Sequence, residues 1–262
     1  MLRTPSKQST FDIIHVMKLI SANWKMNLTP AQTREYLQKF LPLVEGIRDR
    51  EILICPPFTS LCVAGEMLAG SGIRLGAQNC YHEPRGAFTG EVSLDMLKEF
   101  GVSYAIVGHS ERRWIFGESD ELINKKVTAC LKAGVRPIIC VGERLEEREA
   151  GLTFKVVETQ IRLALSGVEE YTSSVDIAYE PVWAIGTGNP ATPEDAQLVH
   201  AYIKDLLHQI NPGHRGETRV LYGGSVSPKN ASEFMRMKDV DGLLVGGASL
   251  DPESFSQIVK SF

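Results

Sequence analysis

The chain has 262 residues, 43% hydrophobic and 23% charged, a balance that excludes a disordered chain and suits a soluble fold with a sizeable core. Lys plus Arg number 28 against 32 Asp plus Glu, a net charge of −4, and no run is rich in basic residues, which argues against a nucleic-acid partner. An acidic protein that binds an anion must do so locally, through a placed Lys or Arg or through backbone N–H groups.

Cys55, Cys62, Cys80, Cys130 and Cys140 are odd in number and include no Cys-x-x-Cys pair. A disulfide framework and a structural zinc site are therefore not expected, and a reduced, cytoplasmic setting is. No apolar run reaches the ~20 residues of a membrane-spanning helix, so no membrane partner is expected.

In chain order, residues 1–16 mix Lys, Ser, Thr and Gln with one short apolar patch at Ile13 and Ile14. They read as an extension, disordered or ahead of a later start site, without the apolar core of a signal peptide. Residues 17–262 read as a single domain. A first strand is expected over 18–23. Asn23 and Lys25 stand two apart, so on a continuing strand their side chains share a face. If that face is interior, Lys25 places an ammonium in a concave site; a solvated surface Lys is the ordinary reading of the residue type. Trp24 between them would face the core. A helix over 30–40 follows, with Thr29 as N-cap and Pro30 in its first turn.

Strands are expected next at 51–55 and 74–77, then a long polar loop, then a strand at 104–107. After it comes Gly108-His-Ser-Glu-Arg-Arg113. His109 or Ser110 can cap a helix there, and the helix dipole would lower the imidazole pKa. A neutral imidazole can donate to a developing oxyanion; a purely structural His remains the alternative. A fifth strand is expected at 136–140 and a sixth at 176–179.

Glu180 follows the sixth strand, and after it Pro181, Val182, Trp183, Ala184, Ile185, Gly186 and Thr187 form an apolar loop that ends in glycine. Loops are normally polar. An apolar one fits a lid that expels water, beneath which a carboxylate would shift to a higher pKa and act as a base. A buried rim loop is the structural alternative. Gly186-Thr-Gly188-Asn-Pro-Ala191 matches a dinucleotide fingerprint in form only, since Pro190 and Pro193 interrupt the turn. A helix over 192–210 has Thr192 as N-cap and stops at Asn211-Pro-Gly213. The last two strands, 219–222 and 242–245, each lead into a Gly-Gly pair, at 223–224 and 246–247. Such loops after strands seven and eight of a barrel form phosphate sites.

Eight strand–helix alternations without a composition break predict one α/β domain, a closed (β/α)8 TIM barrel, over an open doubly wound sheet. In such a barrel, chemistry sits on the loops after the strand C-termini.

The series Asn23-Trp-Lys-Met-Asn27, Gly76-Ala-Gln-Asn79, Gly86-Ala-Phe-Thr-Gly-Glu91, Val107-Gly-His-Ser-Glu-Arg-Arg113, Tyr179-Glu-Pro-Val-Trp-Ala-Ile-Gly-Thr-Gly188, Leu221-Tyr-Gly-Gly-Ser-Val226 and Leu244-Val-Gly-Gly-Ala-Ser249 resembles the triosephosphate isomerase family. It runs in that family's order from about residue 18 to the C-terminus. The resemblance implies an aldose–ketose isomerase of glycolysis and gluconeogenesis that interconverts dihydroxyacetone phosphate and D-glyceraldehyde 3-phosphate without metal or cofactor. It implies Glu180 as the base, His109 as the neutral electrophile and Lys25 as the stabilising cation. Asn23 would place the substrate and Glu111 would support Lys25 and His109. Gly186, Ser225, Gly246 and Gly247 would hold the phosphate. Phe88, Thr89 and Gly90 would reach into the partner of a homodimer. Asn189 departs from the family's usual Lys at the far hinge of the lid, and residues 1–16 have no counterpart. Other sugar-phosphate barrels, or a non-catalytic one, would share the glycine loops but not the set Asn23, Lys25, His109 and Glu180.

Overall fold

Every one of the eight β-rich runs becomes a strand in the computed structural model, which describes residues 16–184, 191–214 and 216–262. The strands are β1 (Leu19–Asn23), β2 (Glu51–Cys55), β3 (Arg74–Ala77), β4 (Val102–Val107), β5 (Arg136–Val141), β6 (Asp176–Tyr179), β7 (Val220–Tyr222) and β8 (Gly242–Val245). They pair in parallel in sequence order, and β1 pairs back to β8: Leu19 lies opposite both Glu51 and Gly242. The sheet is closed, which excludes the open alternative. β4 begins earlier than its apolar pattern indicates. Leu75 faces Val102 but Gly76 faces Tyr104, so Ser103 is an extra residue at a bulge, and its polar side chain hides the true start.

The helices are α1 (Pro30–Leu43), α2 (Leu61–Leu68), α3 (Leu94–Lys98), α4 (Ser110–Trp114), α5 (Asp120–Ala133), α6 (Leu145–Glu149), α7 (Thr153–Leu165), α8 (Pro193–Ile210), α9 (Ala231–Met235) and α10 (Pro252–Val259). α1 starts as expected, in a capping box between Thr29 and Gln32, and runs through Pro42 before ending at Val44. α8 is capped by Thr192 and Asp195 in the same way. None of the helices among the described residues is long and apolar enough to cross a membrane.

The strands bury both faces, with a period of two. Leu19, Leu53, Cys55, Ile106, Ile138, Cys140, Ala178 and Leu221 fill the barrel interior. Their neighbours Ile20, Ile52, Ile54, Val107, Ile139, Val141 and Ile177 pack outward beneath the helices, as does Trp24. The N-terminal end of the barrel is closed by ions. Arg219 reaches Asp176 at 2.7 Å and Glu51 at 2.6 Å, and Arg136 holds Asp176 from the other side at 2.8 Å. Asp176 is fully buried; burial raises its carboxyl pKa, but the two guanidinium groups outweigh that and hold it below the usual carboxylate range. The C-terminal end is left for chemistry.

Candidate active site

Ala178 points into the barrel, so Glu180, two residues on, points inward over its C-terminal mouth. Its backbone N–H donates to the carbonyl of Val141 at 2.7 Å. Two glycines make room for it. A Cβ at Gly142 would lie 1.7 Å from the Glu180 carbonyl oxygen, and one at Gly223 would lie 2.9 Å from Glu180 Cγ. The carboxylate is buried. Oε2 accepts the Ser110 N–H at 2.8 Å. Oε1 stands 2.9 Å from His109 Nε2 without hydrogen-bonding alignment, leaving that oxygen a buried acceptor with no aligned donor.

The apolar lid led to an expected rise in the Glu180 pKa. The structure corrects this. Burial does push it up, but the adjoining His109, the Ser110 N–H and Lys25 together pull it below the usual carboxylate value. The carboxylate is charged in this arrangement.

His109, not Ser110, caps α4: its Nδ1 accepts the Glu111 N–H at 3.2 Å. An accepting Nδ1 carries no proton, so the ring that makes this bond is neutral, with its proton on Nε2. The expected lowering of its pKa is also corrected. Burial lowers it, but Glu180, and to a lesser degree Glu111, raise it more. The larger raising influence is that of Glu180.

Lys25 reaches the same cavity by a different route from the one its spacing suggested. The strand ends at Asn23, and Lys25 has φ 52°, in the left-handed region. That conformation costs about 1–2 kcal/mol for a residue with a Cβ. It is held by two bonds: the Lys25 N–H donates to Asn23 Oδ1 at 3.1 Å, and Gln78 Nε2 donates to the Lys25 carbonyl at 2.9 Å. Its ammonium donates to Glu111 Oε1 at 2.6 Å. The stem passes over Gly246, where a Cβ would lie 3.3 Å from Lys25 Cε. Glu111 therefore touches both groups, since its Oε2 lies 3.6 Å from His109 Nδ1. Gln78 had no role in the sequence reading, although it directly follows β3, where the strand-end rule would have found it.

Asn23, Lys25, His109 and Glu180 share one cavity of about 300 Å³ with Gly223, Ser225, Gly246 and Gly247. Glycines at these loops leave the backbone open to a small anion. Ser225 also ties the loop after β6, its hydroxyl donating to the Ala184 carbonyl at 2.8 Å. A larger crevice, about 840 Å³, lies among Leu41, Arg48, Glu51, Met67 and Arg74 at the strand N-termini. It contains none of these groups.

Of the loop expected to form the lid, Pro181, Val182, Trp183 and Ala184 are described; Ile185, Gly186, Thr187 and Asn189 lie outside the described residues. Val182–Ala184 is a single 3₁₀ turn. The Trp183 indole N–H donates to Glu143 Oε1 at 2.8 Å, and the Tyr179 hydroxyl donates to the same oxygen at 3.1 Å. The Arg148 guanidinium lies 4.1 Å from the centre of the Trp183 ring. Burial pushes the Glu143 carboxyl up despite these donors. Glu143, just past β5, is a second residue the sequence reading passed over. Phe88, Thr89 and Gly90 are exposed on the loop after β3. Phe88 packs against Tyr81 with the rings tilted by 47° and their centres 4.7 Å apart, and the loop's base closes through the Tyr81 N–H to the Val92 carbonyl at 2.8 Å.

With a carboxylate, an imidazole and an ammonium around one small cavity, this is a barrel of the kind that moves protons on small anionic substrates. A family model described as triosephosphate isomerase matches residues 18–262. Triosephosphate isomerase of Aquifex aeolicus (strain VF5) is 68% identical over 245 residues, which span 94% of this chain and 99% of that protein. That of Endomicrobium trichonymphae is 50% identical over 243 residues, 92% of this chain and 97% of the relative. That of Dictyoglomus thermophilum is 49% identical over 246 residues, 93% and 99%. The chain belongs to the triosephosphate isomerase family.

Proposed function

We infer that the chain interconverts dihydroxyacetone phosphate and D-glyceraldehyde 3-phosphate, the aldose–ketose isomerisation of glycolysis and gluconeogenesis. The observation that carries this reading is Glu180 Oε1: a charged, buried oxygen with no aligned donor, in a cavity shared with His109 and Lys25. Glu180 takes the proton from the carbon beside the carbonyl and returns it to the neighbouring carbon. His109 Nε2–H donates to the carbonyl oxygen as negative charge develops there, and relays protons between the two oxygens. Lys25 stabilises the enediolate, with Glu111 fixing its ammonium and Asn23 its backbone. Backbone N–H groups at Gly186, Ser225, Gly246 and Gly247 hold the phosphate. The lid keeps water away, because a released enediolate would expel phosphate.

The isomerase domain is residues 17–262, with 1–16 an extension ahead of it. It acts in the cytoplasm as a homodimer in which Phe88, Thr89 and Gly90 enter the partner subunit. Exposed Met26, Ile115 and Phe116 near the site support such a cover. The test is a coupled assay on D-glyceraldehyde 3-phosphate, with Glu180→Gln as control. Rapid isomerisation that the substitution abolishes is expected. A folded protein without activity, or an active Glu180→Gln, overturns the reading.

A further inference from the structure

Two segments meet behind the site at two adjacent points. On α5, Lys126 and Cys130 are one turn apart and share a face. Just past β3, Asn79 and Cys80 face them. Lys126 Nζ donates to Asn79 Oδ1 at 2.8 Å, and Cys80 Sγ lies 3.5 Å from Cys130 Sγ. Both thiols and the lysine are buried, and Lys126 is further anchored by Glu118. The thiols are therefore held in contact by a charged bond one turn away, between positions 50 residues apart. Their place is structural: Cys80 stands at the base of the loop closed by Tyr81 and Val92, and two residues past Gln78, which holds Lys25.

We propose that Cys80 and Cys130 are a dithiol oxidation site, closed to a disulfide by a small peroxide. The isomerase reading is not needed for this. One thiol loses its proton and its sulfur attacks a peroxide oxygen. The O–O bond breaks, giving a sulfenic acid and hydroxide, which takes up a proton to become water. The second sulfur displaces the sulfenic oxygen as a second water and the S–S bond forms. Two electrons leave the sulfurs and reduce one hydrogen peroxide. Burial excludes bulky oxidants and keeps the sulfurs together for the second step. The hydrogen bond with Cys80, and burial, hold the Cys130 thiol well above its ordinary pKa, so oxidation is slow and accelerates with rising pH. The bond ties the loop base to α5 and closes a long chain segment, which restricts the unfolded chain. Odd cysteine number and spacing gave no hint of it, because the pair is made by packing.

The experiment uses the full chain with Cys62→Ser, which removes the exposed thiol and touches nothing in the active site. After hydrogen peroxide treatment, free thiols are counted in denaturant and peptides are mapped without reduction. The expected result is loss of two thiols, a linked peptide pair containing Cys80 and Cys130, reversal by dithiothreitol, and a Tm several degrees higher in the linked form. Oxygen added to either cysteine without a linked peptide overturns the proposal, as does linkage to another cysteine or retention of all thiols. A Tm that falls on linkage overturns the claim that the bond stabilises the fold.

Discussion

Glu180 and His109 rest against each other, Oε1 2.9 Å from Nε2, although each is assigned to a different atom of the substrate. This contact sets the charge of both. Each shifts the other toward its ionised form against the opposing effect of burial. On the proposed mechanism a substrate entering between them would separate the pair: the carboxylate would lose a stabilising neighbour and gain basicity, and burial would keep the ring neutral.

Glu180→Asp shortens the side chain by one methylene and withdraws the carboxylate from the carbon acid. A displacement of about 1 Å costs on the order of 100-fold in rate. The loss is expected in kcat, with KM little changed, in steady-state assays. Equal losses in affinity and turnover would assign Glu180 to binding instead.

His109→Gln removes the largest influence lowering the Glu180 pKa and leaves burial less opposed. The acid limb of kcat/KM governed by Glu180 then moves to higher pH, and kcat falls on the order of 100-fold or more. A pH–rate profile reads both. An acid limb that stays in place would show that the two groups do not share their charge.

Gly223→Ala puts a methyl group 2.9 Å from Glu180 Cγ and 3.2 Å from the Tyr179 carbonyl oxygen. The Tyr179 backbone cannot give way easily, so the Glu180 side chain is pushed aside. Turnover should fall by roughly the 100-fold of a misplaced catalytic group. Circular dichroism should be unchanged. Wild-type kinetics would mean that the carboxylate reaches its working position without passing that contact.

Asp176→Asn removes the anion between Arg136 and Arg219, leaving buried positive charge at the barrel's closed end. Breaking such a pair costs about 3–5 kcal/mol, toward the lower end here because Arg219 keeps Glu51. The wild-type carboxyl has a depressed pKa, so its stabilising effect is present above the unfolded value of about 4 and is lost as pH falls through the lower folded value. Denaturant melts at several pH values should show that acid-side loss in the wild type and its absence in the variant.

Phe88→Asp places a charge at the exposed tip of the loop after β3 without touching the cavity. Monomers of reduced kcat are expected by light scattering and assay. A dimer of normal activity would remove that loop from the interface.

Much of this molecule is legible locally. The runs at 52–55 and 137–141 declare buried parallel strands, Thr29 and Thr192 mark helix starts, and Glu180 stands out beside its apolar loop. These signals depend on neighbours within a few residues. The positions of Gln78 and Glu143 just past strands were legible, but their roles were not, because each is defined by a partner distant in sequence: Gln78 by Lys25, 53 residues away, and Glu143 by Trp183, 40 away. The direction of the Glu180 pKa shift differs from expectation for the same reason. An apolar lid is a local fact and raises a pKa; the imidazole and the Ser110 N–H, 70 residues away, lower it.

By itself the sequence determined the eight strands, the starts of the helices at Thr29 and Thr192, which residues stand at strand ends, and through its motif series the family. Tertiary structure alone decided that the sheet closes, that four side chains from three strand ends meet in one cavity, and which way Glu180 and His109 shift each other there. Periodicity and capping are energies of adjacent residues. Closure and pKa are energies of groups brought together only when β1 finds β8.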